Sequence, residues 1–286
     1  MLHLALIKWN VNPEIFRIGG FALRYYSVMF AIAFLLGYAL VKKMYQKEGL
    51  ELALLNPLFI YTVVGTLVGA RLGQVFFYEF GYFKHHLLEI IFPFRINSKG
   101  FEWTGYQGLA SHGGAIGILI ALVLYCKKYK QDFLRVMDKV VIAVAVAGFF
   151  IRTGNLFNSE IIGKPTDVSW AFIFERIDLI PRHPSQVYEA FAYLFIFFIL
   201  WSLYLSKGVN LKRGFVFGLF LVLVFSSRFL IEFTKENQEA FESLLPINMG
   251  QILSLPFIMV GFYLIFRKES QSKSEVTKQK ETFYGT

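Results

Sequence analysis

Long apolar runs, interrupted by short polar clusters, set the organisation of this chain. Residues 103–126 and 243–266 contain no Asp, Glu, Lys or Arg, and residues 52–70 add a third such stretch. A bilayer-spanning helix needs about 20 mainly apolar residues. On that length the pattern predicts seven spans: 22–41, 57–78, 108–126, 136–155, 187–205, 214–233 and 249–266. The expected class is an all-α integral membrane protein, with residues 1–266 as one transmembrane domain and 267–286 as a basic, solvated tail. The first twenty residues lack a basic start followed by an apolar run, so they do not read as a cleavable signal peptide. They read as an interfacial lead-in, with Leu4, Ile7, Phe16 and Ile18 able to touch the bilayer surface.

Composition agrees. Of the 286 residues 56% are hydrophobic and 17% charged, well below the charge of an ordinary soluble domain. The net charge of +9 raises the question of nucleic acid until the charges are placed. Sixteen Lys and Arg fall in the segments 42–56, 127–139 and 206–213 and after residue 266, all on one side if there are seven spans; nine fall on the other side. The positive-inside rule then puts the N-terminus outside and the C-terminus in the cytoplasm. The excess is a topology signal and a contact with anionic lipid, not a nucleic-acid footprint. A single cysteine, Cys126, excludes a disulfide framework and a multi-cysteine metal site; it reads as packing.

Four basic residues remain, all arginine: Arg24, Arg71, Arg152 and Arg228 lie within or at the ends of spans. A charge at the bilayer centre costs about 2.5–3.5 kcal/mol on insertion scales, so such residues usually face a bundle interior or a wet cavity. Arginine in each place points to planar recognition of an oxyanion, and the oxyanion of a membrane is a lipid phosphate. Snorkelling to the headgroup layer is the bland alternative.

Polar clusters accompany them. His112 lies in Gly108-Leu-Ala-Ser-His-Gly-Gly-Ala-Ile-Gly117, where small residues permit close backbone approach or a broken helix. Its side chain suits proton transfer near neutrality, or it is a structural histidine between packed helices. Arg152-Thr-Gly-Asn155 continues through Asn158-Ser-Glu160 to Gly163; if helical, Arg152, Asn155 and Glu160 share a face, while Gly154 and Gly163 argue for a bent or re-entrant segment. Arg182-His183-Pro184-Ser185-Gln186 leads into the fifth span, with Ser185 or Pro184 at the helix start. Arg228 and Glu232 stand four apart, a spacing that allows an ion pair. Asn248-Met-Gly-Gln251, with Ser254 and Pro256, predicts a kinked, cavity-lining helix start. There is no Walker A loop, zinc-protease helix or nucleophile elbow. The cluster therefore offers no nucleophile of its own and would activate one supplied by a substrate.

Taken together, Arg24-Tyr25-Tyr26, Gly69-Ala-Arg71-Leu, His112-Gly-Gly, the run from Arg152 to Gly163, Arg182-His-Pro-Ser-Gln186, Arg228 with Glu232, and Met249-Gly-Gln-Ile-Leu-Ser254 resemble the prolipoprotein diacylglyceryl transferase family. The resemblance runs from Asn12 to Gly261. It implies transfer of a diacylglyceryl group from phosphatidylglycerol to the lipobox cysteine of a prolipoprotein signal peptide, with no cofactor or metal, at the outer face of a bacterial inner membrane. By position it implies catalytic roles for His112, Arg228, Tyr26 and Asn155. It implies binding of phosphatidylglycerol by Arg152, Arg228, Glu160, Gly163 and Glu232. Either His112 or Arg228 would assist deprotonation of the substrate thiol. The chain departs from the family pattern at Val224, where Tyr is common, at Lys235 for Arg, at Ser159 for Gly and at Ile151 for Gly. An anion or lipid transporter built around the buried arginines is the competing reading; it predicts an internal repeat, and none is seen.

Overall fold

The structure is a computed structural model that describes residues 6–19, 21–91, 94–97, 100–103, 110–236 and 247–268. Leu4, Gly108 and residues 269–286 of the expected tail lie outside the described residues. Seven long helices are found among them: α1 (Tyr25–Lys47), α2 (Leu55–Phe77), α5 (Ser111–Tyr129), α6 (Phe133–Asn158), α7 (Ser185–Lys207), α8 (Phe215–Ile231) and α9 (Met249–Phe266). Each overlaps one predicted span. Two short helices, α3 (Phe80–Phe83) and α4 (Leu88–Ile91), follow α2. Five of the long helices, α1, α2, α7, α8 and α9, are long and apolar enough to cross a membrane. The other two carry more polar residues: α5 opens on Ser111-His112-Gly-Gly, and α6 holds Arg135, Asp138, Lys139 and Arg152.

The helices turn their apolar side chains outward as well as inward. Leu35, Ile60, Phe195, Met259 and Phe262 are all exposed, which suits lipid rather than water as the surrounding solvent. The polar α6 is tolerated because it is central, packed against α1, α7, α8 and α5, so protein surrounds its charges. Between α2 and α5 the contact is backbone on backbone. Gly65, Gly69 and Gly73 recur every four residues on α2 and meet Gly113 and Gly117 of α5; a Cβ on Gly69 would lie 2.7 Å from Gly117 Cα, and one on Gly113 would overlap the Gly69 carbonyl. This is the small-residue packing that membrane helices use in place of a hydrophobic driving force.

The buried apolar core occupies one half of the bundle. It is built from the end of α1 (Val41, Met44, Tyr45), the start of α2 (Leu55, Leu58), the end of α5 (Leu122, Tyr125, Cys126), the start of α6 (Val136 to Ala145), the end of α7 (Ile196, Leu200, Tyr204), the start of α8 and the end of α9. Cys126 is buried and unpaired there, as packing requires. The basic segments gather at this same end: Lys47 donates to the Leu205 carbonyl, Arg213 pairs with Asp132, and Lys212 reaches the Arg267 carbonyl.

The opposite end is where the fold is not all-α. A three-stranded sheet in the order β1 (Ile7–Trp9), β6 (Phe172–Phe174), β7 (Pro181–Arg182) joins the N-terminus to the α6–α7 connection, with β1 parallel to β6. Two further antiparallel hairpins are described, β2 (Glu14–Ile18) with β3 (Phe21–Arg24), and β4 (Phe94–Asn97) with β5 (Gly100–Trp103). The lead-in expected to be interfacial is thus partly strand. Ile7, Phe16 and Ile18 remain exposed on it, while Trp9 is tied down through its indole N–H to the Leu156 carbonyl at 3.0 Å.

Candidate functional site

At the sheet end, α6 delivers Arg152 and Asn155 one turn apart and then stops. Ser159 caps the helix in the left-handed region at φ 55°, and Ile161 follows at φ 57°. A β-branched residue there is uncommon and costs on the order of 1–3 kcal/mol. This reversal, not a continuous helical face, folds Glu160 back onto the helix. Arg152 Nη1 donates to Asn155 Oδ1 at 3.2 Å, and Asn155 Nδ2 donates to Glu160 Oε2 at 3.1 Å. Asn158 Nδ2 donates to Glu160 Oε1 at 2.9 Å, and buried Gln186 donates to the Glu160 carbonyl at 2.5 Å. Asn155 therefore relays between a cation and an anion, which an amide can do because it both donates and accepts.

Tyr26, in the first turn of α1, lies against Gly154: a Cβ there would come within 2.8 Å of the Tyr26 ring. The tyrosine is close enough to Arg152 and Glu160 for both charges to act on it. Gly163 sits deeper, buried in the loop after α6. Its N–H donates to the His183 carbonyl at 3.0 Å, it bridges to Lys235, and a Cβ would lie 2.6 Å from Ser185 Oγ. It is a close-packed junction between three segments.

The four arginines part company here. Arg24, at the head of α1, is half exposed and 3.8 Å from Glu14. Arg71 reaches the carbonyls of Glu89 at 2.5 Å and Ile90 at 3.1 Å and lies over the Phe83 ring, so it fastens α4 to α2. Arg152 meets Glu189 of α7, Nε to Oε2 at 3.0 Å. Arg228, near the end of α8, makes no hydrogen bond or ion pair among the described residues. Its charge acts on Glu189 and on His112. His112 stands exposed in the first turn of α5, also without a hydrogen-bond partner among the described residues.

The Arg228–Glu232 ion pair that the spacing allows does not form. Helix α8 ends at Ile231, and Glu232 opens a 3₁₀ turn to Thr234, which turns its side chain toward Lys235. The Lys235 ammonium, 2% exposed, lies 2.8 Å from Glu189 Oε1 and 3.2 Å from Glu232 Oε2. Sequence reading passed over Glu189 and treated Lys235 only as a departure. The signal was available: Glu189 is an acid inside a predicted span, as anomalous there as the arginines.

Arg182 is structural. It donates to Asp178 from Nη2 at 2.5 Å and from Nε at 3.0 Å, to the Gly163 carbonyl at 3.3 Å, and also pairs with Glu236. The hydrogen bonds from Arg182 hold the Asp178 carboxyl below its ordinary value, and those to Asp178 and Glu236 hold the guanidinium above its own. His183 contacts Tyr188 at 3.1 Å, and burial lowers its pKa. Pro184 caps α7 and Ser185 opens it, as the sequence predicts. The start of α9, expected to be kinked and cavity-lining, has its polar groups hydrogen-bonded. Asn248 and Gln251 form a capping box, Gln251 also donates to the Phe229 carbonyl at 3.2 Å, and fully buried Ser254 bonds back to Gly250. The capping box and the Ser254 bond close within α9 itself, Gln251 alone ties it to α8, and the helix runs on through Pro256.

The sequence profile described as prolipoprotein diacylglyceryl transferase matches residues 13–267. A phosphatidylglycerol–prolipoprotein diacylglyceryl transferase of Bacteroides fragilis is 47% identical over 264 residues, covering 92% of this chain and 95% of the relative. Proteins of the same description from Chloroherpeton thalassium and Tolumonas auensis are each 43% identical, over 95% and 91% of this chain and 97% and 96% of their own lengths.

Proposed function

The chain belongs to the prolipoprotein diacylglyceryl transferase family, and we infer from that membership that it transfers the diacylglyceryl group of phosphatidylglycerol to the lipobox cysteine thiol of prolipoproteins. It is a multi-pass membrane protein and a transferase. The reading extends to seven spans, an N-terminus outside, a cytoplasmic tail at 267–286, and a site facing the outer side of the bacterial inner membrane. The basic segments collected at one end of the bundle support that orientation.

One observation carries the mechanism: of the four span-associated arginines, Arg228 alone keeps its guanidinium without a partner among the described residues, and its charge reaches His112, a histidine that also has no hydrogen-bond partner among them. A cation so placed suits the phosphate diester of the lipid. Arg152, fixed by Glu189 and Asn155, forms the second side of the phosphate site. The substrate cysteine attacks the glycerol C3 carbon. The new bond is S–C, the C3–O bond breaks, and its electron pair leaves with glycerol phosphate. Charge gathers on that phosphate as the bond breaks, where pre-placed arginine donors are most effective. His112 takes the thiol proton, since a free thiol of pKa about 8.5 is mostly un-ionised at neutrality. The proton ends on the phosphate monoester or in water. Tyr26 and the Asn155–Glu160 relay hold the wall of the site beside Arg152.

The test is incubation of the purified protein with phosphatidylglycerol and a lipobox peptide. Thioether-linked diacylglycerol on the peptide is expected without added metal or nucleotide. No product, under conditions in which a relative works, overturns the reading. Full activity in His112→Gln would remove that residue from proton transfer.

A further inference from the structure

The cluster around Arg152 and Arg228 contains a third cation that no role has yet been given to. Lys235 is almost fully buried and touches both carboxylates that could otherwise pair with the arginines, Glu189 at 2.8 Å and Glu232 at 3.2 Å. Glu160 is already held by two asparagine amides. Without Lys235, Glu189 and Glu232 would face Arg152 and Arg228 one to one, and no cation would be left for an anion. With it, both carboxylates are held by other cations, Glu189 by Arg152 and Lys235 and Glu232 by Lys235, and Arg228 is left without an ion pair among the described residues. Glu232 is also the residue best spaced to reach Arg228, four positions on. Two features hold it away. The α8 helix tightens into a 3₁₀ turn at Glu232. The start of α9 leaves it a seat: a Cβ on Gly250 would lie 2.6 Å from the Glu232 carboxyl carbon. The Lys235 backbone is fixed as well, by its bridge to Gly163 and by the bond from Lys164 N–H to the Thr234 carbonyl at 2.8 Å.

We propose that Lys235 is a positioning residue that sequesters Glu189 and Glu232, and thereby keeps the Arg228 guanidinium free for the lipid phosphate. This rests on the reading of Arg228 as a phosphate ligand. Lys235 touches no reacting atom, so its loss acts on lipid binding before it acts on the chemical step.

The experiment measures KM for phosphatidylglycerol and kcat separately, in the full-length protein in detergent micelles, with thermal melting alongside. Lys235→Met is expected to raise KM by ~10-fold or more, the size of one lost charge-assisted hydrogen bond, with a smaller change in kcat. Adding Glu232→Gln to Lys235→Met removes the competing carboxylate and brings KM back toward the parent. Lys235→Arg keeps the charge and stays close to the parent. A double variant whose KM is no lower than that of Lys235→Met overturns the proposal, as does a loss in kcat at unchanged KM. If Lys235→Met does not accumulate, the charge-balanced double variant decides: a KM near the parent supports the proposal, and one as high as in Arg228→Gln overturns it. Arg228→Gln separates the two readings. If it leaves KM unchanged, the phosphate assignment itself fails; if it raises KM while the double variant shows no recovery, only the role of Lys235 fails.

Discussion

The two halves of the bundle both bury ionised groups, and they do so with opposite outcomes. At the basic end Lys139 meets Glu48 at 2.8 Å, and the other Glu48 oxygen accepts the Tyr204 hydroxyl at 2.9 Å. Asp138 accepts the backbone N–H groups of Gly214 at 2.7 Å and Phe217 at 2.8 Å, capping α8 from a neighbouring helix. In these contacts donors and acceptors are matched, and a large apolar core closes around them. At the sheet end the same kinds of residue are arranged with a remainder. Lys235, Glu189, Glu232 and Arg152 neutralise one another, while Arg228 and His112 stay unpaired among the described residues. Buried charge by itself therefore does not single out a site in this molecule. The proposed site is distinguished by incomplete matching, because a half-buried cation without a partner is more costly than a paired one unless a ligand completes it.

The sharpest way to break this comparison is to neutralise the remainder. Arg228→Gln is expected to lower kcat/KM by ~100- to 1,000-fold, the usual cost of removing one pre-placed donor to a developing anion, with little loss of melting temperature; a variant that unfolds instead would make Arg228 a structural residue. The reverse holds at the basic end. Lys139→Met leaves Glu48 buried without its cation and should cost about 3–5 kcal/mol of stability, read by thermal melting, while turnover per folded molecule stays near the parent. A marked fall in turnover there would show that the two halves are coupled. Ser159→Gly relieves a left-handed residue whose hydroxyl is buried without a partner and is expected to stabilise by about 1 kcal/mol.

The smallest effect is one of pH and belongs to the connection between α6 and α7. Arg182 depresses the Asp178 pKa. The tie therefore contributes fully above the ordinary carboxylate value of 3.8 and fades as pH falls through the still lower folded value. Limited proteolysis of the segment 159–184 should accelerate in the parent as pH falls below 3.8, in proportion to protonation of this one carboxyl, and be fast at neutral pH in Asp178→Asn. Equal rates across that range would show that the loop is held by the sheet alone.

Much of the architecture is written locally. Seven apolar runs place seven long helices, and the last span coincides with α9, since the length and polarity of a run are properties of consecutive residues. The Gly and Ser around His112 announce close packing, and glycines every fourth residue on α2 supply the partner surface. The grouping of Arg152, Asn155 and Glu160 is legible too: the spacing allows a shared helical face, Gly154 and Gly163 argue for a bend, and the molecule bends by a left-handed turn at Ser159. What the sequence alone determined is which polar residues are too expensive to lie against lipid. Which of them neutralise one another was decided only by tertiary structure. Arg228 and Glu232 are spaced to pair along a helix, yet the helix tightens at Glu232, and the groups that claim this carboxylate and Glu189 come from elsewhere in the bundle. Ion pairing depends on distances of a few ångströms between segments far apart in the chain. No local spacing rule could have revealed that one arginine is left over.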